Sequence, residues 1–213
     1  MFGKPSAAAE RIYVIGGPGS GKTTLAREIG RRAGLPVHEL DSVHWLGKPT
    51  SGLRPADQRE ALIEQIIGSR RWVVEGVYIG WTTALLDAAD TIIWLDHIGW
   101  PRVTIRVVKR SFGKAFGELL WRRRWQRFEG MRGIGRRLRN VAVLLHATRA
   151  YHRSPDAADP HPAANLLGAS RTATAALLAR YEHKLVHCRT TSDVEAAFEQ
   201  LIPSAADVPL VAE

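Results

Sequence analysis

The chain has 213 residues, of which 45% are hydrophobic, and its formal net charge is +9. This length supplies one sizeable core and is short for two, and the hydrophobic content excludes a disordered chain, so we predict one folded domain. Cys188 is the single cysteine, which excludes an internal disulfide and suits a reducing compartment. No apolar stretch approaches the roughly 18 residues of a membrane span, and the first residues lack the apolar core of a secretory signal. The sequence therefore predicts a cytoplasmic protein with no membrane partner.

The positive charge is concentrated in one segment. Residues 101–153 contain fifteen lysines and arginines against two acidic residues, Glu118 and Glu129. This surplus exceeds the net charge of the whole chain. A segment of this kind suits either a phosphate-rich small substrate or a nucleic-acid backbone.

In chain order, the first element is a strand that leads through a glycine-rich loop into a helix. An apolar, β-branched run ends at Ile15, and apolar residues at helical spacing resume at Leu25. Between them the pattern G-x-x-x-x-G-K-[ST] is complete, in the strand–loop–helix context that the motif requires. The predicted cofactor-binding residues are Gly16, Gly17, Pro18, Gly19, Ser20, Gly21, Lys22, Thr23 and Thr24.

This pattern is typical of a loop that holds the phosphates of a nucleoside triphosphate. Glycines allow successive backbone N–H groups to turn toward an anion, and the following helix adds the partial positive charge of its N-terminus. Lys22 is predicted to contact the β- and γ-phosphates as a catalytic residue, and the Thr23 hydroxyl to ligate Mg²⁺. ATP and Mg²⁺ are therefore the expected cofactors.

The later elements alternate between helical patterns and short apolar strands. Gly34 is the predicted left-handed cap of the first helix, and Ser192 with Glu195 is the predicted capping box of the last one. Strands that are apolar on both faces and separated by helices indicate a buried parallel sheet, with ligands at the carboxyl ends of its strands. After the first strand, the predicted strands are residues 35–40, 71–76, 91–96 and 184–188.

We predict a single domain at residues 11–202, with loose tails at 1–10 and 203–213. Within it, residues 112–153 are expected to form a basic, helical insertion of the kind that covers a site as a lid. In residues 102–139, aromatic side chains interleave with arginines, a pattern that suits stacking on nucleic acid. The same pattern also suits an amphipathic helix with a buried aromatic side and a wet basic side, and both interpretations stay open.

Three carboxylates follow or end predicted strands and are expected near one crevice. Asp41 either caps a helix or serves as an acidic group beside a phosphoryl acceptor, where it would orient the acceptor hydroxyl or hold Mg²⁺ through water. Glu75 and Asp96 compete for the carboxylate role at the metal. On these residues alone, neither choice is decided.

Several ordered motifs resemble one known group of proteins. With the phosphate loop, L-D-x-x-x-W at 40–45, E-G-x-Y at 75–78 and T-I-I-W-L-D at 91–96 resemble the adenylate-kinase-related bacterial P-loop proteins often labelled DNA topology modulation proteins. The similarity covers residues 11–110 and, more weakly, 184–201. It implies a three-layer P-loop NTPase fold with a five-stranded parallel sheet in the order 2-3-1-4-5. It also implies transfer of the γ-phosphoryl group of Mg-ATP to a small acceptor.

The resemblance also bears on individual residues. It favours Glu75 over Asp96 for Mg²⁺, although many nucleotide kinases have Asp at that position. Arg106 and Arg110 match the R-x-x-x-R at the start of the lid in those kinases, where arginines lie over the phosphates. With Arg102 they share one face of a predicted helix, which is also the pattern of an ordinary solvated face. The alternative function is a nucleic-acid-associated NTPase or DNA-binding modulator of topology, and the acceptor and oligomeric state stay open.

Overall fold

A computed structural model describes residues 9–47, 52–97, 142, 145–152 and 169–202. The strands are β1 Arg11–Gly16, β2 Val37–Glu39, β3 Trp72–Gly76, β4 Thr91–Leu95 and β5 Leu185–Cys188. The helices are α1 Lys22–Ala33, α2 Leu40–His44, α3 Ala56–Gly68, α4 Thr83–Ala88, α5 Arg171–Leu178 and α6 Thr191–Leu201, with a 3-10 helix at Ala179–Lys184. Residues 145–152 are also helical and are called helical segment 145–152 below.

The described strands form one parallel sheet in the order β2-β3-β1-β4-β5. This order and the all-parallel pairing confirm the fold that the resemblance implied. β1 lies at the centre, hydrogen-bonded to β3 on one side and β4 on the other. The loop that follows β1 therefore leaves the middle of the carboxyl edge of the sheet, where open parallel sheets bind ligands.

The alternation of side chains along β1 produces a three-layer structure. Ile12 and Val14 pack in the core with α1 and α6, whereas Tyr13 and Ile15 pack in the core on the opposite face, with α2, α3, α4 and α5. All four side chains are at most 1% exposed. Burial of each aliphatic side chain contributes about 1.5–3 kcal/mol, so this central strand is held from both sides and provides a rigid base for the loop.

The second predicted strand is shorter than expected. The pattern predicted residues 35–40, but β2 ends at Glu39 because α2 begins at Leu40. Leu40 is fully buried and contacts the site where a side chain on Gly76 would lie, within 2.7 Å. This close packing of α2 against the end of β3 explains why the chain leaves the sheet early.

The predicted capping box of the last helix was wrong. Instead of Ser192 and Glu195, Thr190 is the N-cap and Asp193 is its partner: Thr190 Oγ1 accepts from the Asp193 N–H at 3.1 Å, and Asp193 Oδ2 accepts from the Thr190 N–H at 2.8 Å. The helix begins this early because only two residues separate its first residue from buried Cys188, the last residue of β5. By contrast, Gly34 is the left-handed cap of α1, as predicted, with φ of 64°.

Much of the predicted basic insertion lies outside the described residues. Of residues 112–153, only 142 and 145–152 are described, and they are helical. The predicted tails at 1–10 and 203–213 also fall outside, except for residues 9 and 10, so the domain limits stay predictions. None of the described helices has both the length and the apolar character needed to cross a bilayer.

Candidate functional site

The glycine-rich loop forms a turn that leads directly into an open helix N-terminus. The Ser20 N–H donates to the Gly17 carbonyl at 3.2 Å, which closes the turn. Gly21 is the N-cap of α1, so no side chain caps this helix, and its first turn has no acidic residue. Lys22 is the first residue of α1. The first N–H groups of a helix need acceptors, and with the helix dipole they make an anion site.

Glycine is needed in this loop for two different reasons. Gly19 and Gly21 have φ of 75° and 97°, a conformation that residues with a Cβ rarely adopt. Gly16 is constrained by packing, because an added Cβ would lie 3.0 Å from the Leu95 carbonyl oxygen. The sequence interpretation assigned all the glycines to phosphate access, and for Gly16 the structure gives a steric cause within the protein.

Thr23 and Glu75, the two residues predicted to hold the metal, are in direct contact. Thr23 Oγ1 donates to Glu75 Oε1 at 2.8 Å, joining α1 to the end of β3. Glu75 is 5% exposed, and its Oε2 has no hydrogen-bond partner among the described residues. Burial raises the pKa of Glu75, while the Lys22 ammonium and the Thr23 hydroxyl oppose the rise. A hydroxyl beside a buried carboxylate with a free oxygen is a donor set that suits Mg²⁺.

Asp41 lies in the first turn of α2, next to the end of β2, and is held by an aromatic side chain. Its side chain is exposed, and Oδ1 accepts a hydrogen bond from the Tyr78 hydroxyl at 2.9 Å. The N-cap of α2 is Glu39, so the alternative that Asp41 itself caps the helix is wrong. The Asp41 charge also helps to raise the pKa of Glu75, which shows that the two carboxylates belong to the same region.

An aromatic cluster that the sequence interpretation missed packs behind Asp41. His44 stacks on Trp81 with ring centroids 5.6 Å apart and contacts Tyr78 at 4.5 Å. Trp45 packs edge-on against His44 and is 8% exposed, so it belongs mainly to the core. The signal available was that two members of the cluster, Trp45 and Tyr78, end the L-D-x-x-x-W and E-G-x-Y motifs. Only the fold shows that they meet.

Asp96 has a different role from Glu75, and its predicted competition for the metal is not supported by its contacts. Arg171 donates to both carboxylate oxygens at 2.7 and 2.8 Å, and His187 Nε2 lies 3.1 Å from Oδ2. Burial alone would raise the pKa of Asp96, but these bonds outweigh it and hold the pKa below its usual range. Asp96 therefore joins β4 to α5 and β5 instead of facing the Thr23–Glu75 pair.

A groove of about 380 Å³ opens beside the phosphate loop. Ser20 and Thr24 line its loop side, and Leu25, Val194 and Phe198 give it an apolar wall between α1 and α6. The side chains of α6 were not among the predicted site residues, because they are more than 150 positions away in sequence. The groove therefore offers an apolar wall directly beside the loop.

A larger cavity, of about 560 Å³, lies farther from the loop along β4 and β5. It is lined by Trp94, Arg171 and His187, among others, and includes no residue of the phosphate loop. Trp94 and His187 stack with ring centroids 4.0 Å apart. Size alone does not make it the site, because the anion-binding N–H groups and the Thr23–Glu75 pair lie elsewhere.

The predicted lid arginines and nucleic-acid residues lie outside the described residues. This applies to Arg102, Arg106 and Arg110, and to the aromatic and basic residues of segment 102–139. Their predicted contacts with phosphates or nucleic acid stay predictions.

The fold and the loop together are of the P-loop NTPase type. The central parallel strand, the G-x-x-x-x-G-K-T loop and the uncapped helix after it are the parts that define this class. In agreement, the family model described as "ATPase family associated with various cellular activities (AAA)" matches residues 12–99. That range begins in β1 and ends just after β4, so the match covers the loop and the Thr23–Glu75 pair.

Among curated proteins, the chain is similar to the uncharacterized protein YqaC of Bacillus subtilis (strain 168). The two are 25% identical over 114 residues, which is 52% of this chain and 62% of the relative. The match thus spans about three fifths of the relative's length, and that protein's name states no activity.

Two solved structures are similar at a low level. A gluconokinase from Sinorhizobium meliloti 1021 is 20% identical with a TM-score of 0.40, over 84% of this chain and 95% of that one. A sugar kinase from Janibacter sp. HTCC2649 is 20% identical with a TM-score of 0.32, over 46% of this chain and 65% of that one. Neither likeness identifies a substrate for the present chain.

Proposed function

We propose that the protein is an ATP-dependent phosphotransferase of the nucleotide-kinase type, which moves the γ-phosphoryl group of Mg-ATP to a small acceptor. The observation that carries this proposal is the contact between Thr23 and Glu75 beside the open N-terminus of α1. It joins an anion-binding site to a buried carboxylate, one oxygen of which has no partner in the part of the chain that the structure describes. A site for a nucleotide and its divalent ion needs both.

The triphosphate would bind along the loop and the first turn of α1. Its phosphate oxygens would accept hydrogen bonds from the loop N–H groups, and Lys22 would balance the charge on the β- and γ-phosphates. The attached nucleoside would occupy the groove between α1 and α6, with its base against Leu25 and Phe198. This arrangement uses both the polar and the apolar surfaces that adjoin the loop.

Thr23 and Glu75 would hold Mg²⁺, directly or through its water molecules. When bound, Mg²⁺ would neutralise charge on the phosphates and help to orient them. The remaining work falls to the protein's own groups, which must position the reactants and exclude water. The pKa of Glu75 is raised by burial when no ion is present, so a nearby cation would favour its charged form.

Asp41 is the proposed acidic residue on the acceptor side. The Tyr78 hydroxyl donates to Asp41 Oδ1, and the Asp41 side chain is exposed, so this carboxylate is accessible to an acceptor. In transfer, the acceptor oxygen would form a bond to the γ-phosphorus as the bond to the β–γ bridging oxygen breaks, and Asp41 would take the acceptor proton. Arg106 and Arg110 remain the proposed cations over the migrating group.

A coupled assay of ADP release tests this function. Purified protein, Mg-ATP and a panel of nucleotides, nucleosides and small hydroxylated metabolites should give faster ADP release with one acceptor class. Lys22→Ala should lower turnover by at least about 10²-fold, because removing a preorganised group of this kind costs that much. Asp41→Asn should retain ATP binding and lose transfer. Exposed Arg70→Ala is the matched control and should behave like the wild type.

Uniform inactivity over a broad panel, or full activity of Lys22→Ala, would reject the kinase function. The narrower assignment to the DNA topology modulation group and the nucleic-acid alternative through residues 102–139 remain predictions from the sequence.

A further inference from the structure

Tyr151, in helical segment 145–152, packs directly against the phosphate loop. Its side chain is 2% exposed, and its buried neighbours are Val77, just beyond the end of β3, and Ala169. A Cβ added to Gly17 would lie only 2.6 Å from both Cδ1 and Cε1 of the Tyr151 ring. The ring therefore lies flush against the backbone of the second residue of the loop.

This contact explains why position 17 is a glycine, which the motif itself does not require. In the pattern G-x-x-x-x-G-K-[ST], the second position accepts any residue. Here a side chain at position 17 would collide with a buried ring, and real Cβ atoms essentially never approach another atom so closely. The Gly17 carbonyl also accepts the Ser20 N–H that closes the turn. Tyr151 thus contacts Gly17, the residue at which the turn begins.

The hydroxyl of Tyr151 has no hydrogen-bond partner among the described residues, so packing holds the ring in place. Burial raises the pKa of the Tyr151 phenol, and the side chains that influence this pKa include Trp94, Thr174 and Asp96. Asp96 is itself held by Arg171 and His187. Tyr151 is therefore placed by its ring contacts, of which the one with Gly17 lies at the start of the phosphate turn.

We propose that Tyr151 is a positioning residue that holds the phosphate loop in its nucleotide-binding form through ring contact with Gly17. It touches no phosphate and acts through the backbone of the turn between Gly17 and Ser20. The inference rests on the proposed function, because it assigns the loop to nucleotide binding. It also predicts that positions 17 and 151 depend on each other.

A double-mutant cycle tests this dependence. Gly17→Ala should weaken binding of Mg-ATP roughly tenfold to a hundredfold, because displacement of a binding group by about 1 Å has effects of that size. Tyr151→Ala should weaken it less, and the double variant should bind better than Gly17→Ala alone because the collision is relieved. Binding is measured by calorimetry, and thermal unfolding without nucleotide is measured in parallel.

Two further variants separate this role from a merely structural one. Tyr151→Phe keeps the ring and should retain the wild-type affinity for Mg-ATP. Tyr151→Ala should raise the KM for ATP with little change in the KM for the acceptor. Gly21→Ala is the matched glycine control. It is strained by φ of 97° and an added Cβ meets nothing within 4 Å, so Tyr151→Ala should not rescue it.

Independent, multiplicative losses of affinity at positions 17 and 151 would overturn the inference. So would coupling seen in thermal unfolding but absent from nucleotide affinity, and that result would leave the proposed function intact. If the wild-type protein bound no nucleotide, the proposed function would fail first and the inference with it.

Discussion

Glu75, in its proposed metal-binding role, illustrates how a buried residue can serve a function at the cost of stability. Its carboxylate has one oxygen bonded to Thr23 and another without a partner among the described residues. A buried, incompletely paired charge is unfavourable in the protein without its ligand. Its pKa is accordingly raised by burial. We therefore expect a bound cation to stabilise the folded protein at this site.

The variant Glu75→Gln is predicted to gain stability relative to the wild type as the pH rises. The pKa of Glu75 is higher in the folded protein than in the unfolded chain, so between the two pKa values the folded protein binds more protons. The contribution of Glu75 to the free energy of unfolding is therefore fully present below the unfolded pKa of about 4.3 and is lost as the pH rises through the folded pKa. Each pKa unit between the folded and unfolded values corresponds to about 1.4 kcal/mol in the free energy of unfolding. Urea unfolding without nucleotide, between about pH 4 and 8, measures the difference.

Glutamine at position 75 lacks this titration but should bind Mg-ATP more weakly. Glu64→Gln, on the exposed side of α3, is the matched control and should show little pH-dependent difference. If the curves of Glu75→Gln and the wild type stay parallel over the whole pH range, the raised pKa is not present in the folded protein.

At the scale of elements, the start of α6 depends on a local exchange of hydrogen bonds. Thr190 and Asp193 each accept a hydrogen bond from the other's backbone N–H, and Asp193 also accepts the Arg189 N–H at 2.8 Å. These bonds hold the Asp193 pKa below its usual range. They also orient α6, whose Val194 and Phe198 line the proposed nucleoside groove.

Thr190→Ala should lower the free energy of unfolding by about 1 kcal/mol, the usual cost of losing an N-cap side chain. Ser192→Ala, two residues later and exposed, is the matched control and should change it by less than about 0.5 kcal/mol. Urea unfolding of the two variants gives the comparison. A larger loss for Ser192→Ala than for Thr190→Ala would mean that the helix begins later than described.

At the scale of the whole molecule, Asp96 joins elements that are distant in sequence. Arg171 comes from the start of α5 and His187 from β5, and both meet the end of β4. Burial lowers the pKa of His187, which favours the neutral ring, with Nε2–H donating to Asp96 while Nδ1 faces the Arg189 Nε–H at 3.3 Å. These bonds join β5, at the edge of the sheet, to the end of the neighbouring strand β4.

Arg171→Ala should lower the free energy of unfolding by about 2 kcal/mol. The Asp96 side chain is 3% exposed, so its loss of a charge partner is costly, but 54% of Arg171 is exposed and solvent screens part of the effect. Exposed Arg70→Ala serves as the control. Chemical unfolding at neutral pH measures the difference, and equal stability of the two variants would show that the pair adds nothing net.

Local sequence was sufficient for the phosphate loop, the order of elements and the parallel sheet. These depend on short-range signals: glycines at set spacings, and strands apolar on both faces separated by helices. The end of β2 and the cap of α6 were misplaced because packing of Leu40 and the immediate turn after Cys188 decided them. Side-chain partners across the fold were not predictable from spacing alone.

The sequence by itself determined that this chain has a phosphate loop between a buried strand and a helix, because that pattern is local in the chain. The resemblance favoured Glu75 for the metal, but only the tertiary structure showed its contact with Thr23, the pairing of Asp96 with Arg171 and His187, and the contact of Tyr151 with Gly17. The physical reason is that these contacts join positions from 52 to 134 residues apart. Their pairing follows from how the strands and helices pack, which no short pattern of residues records.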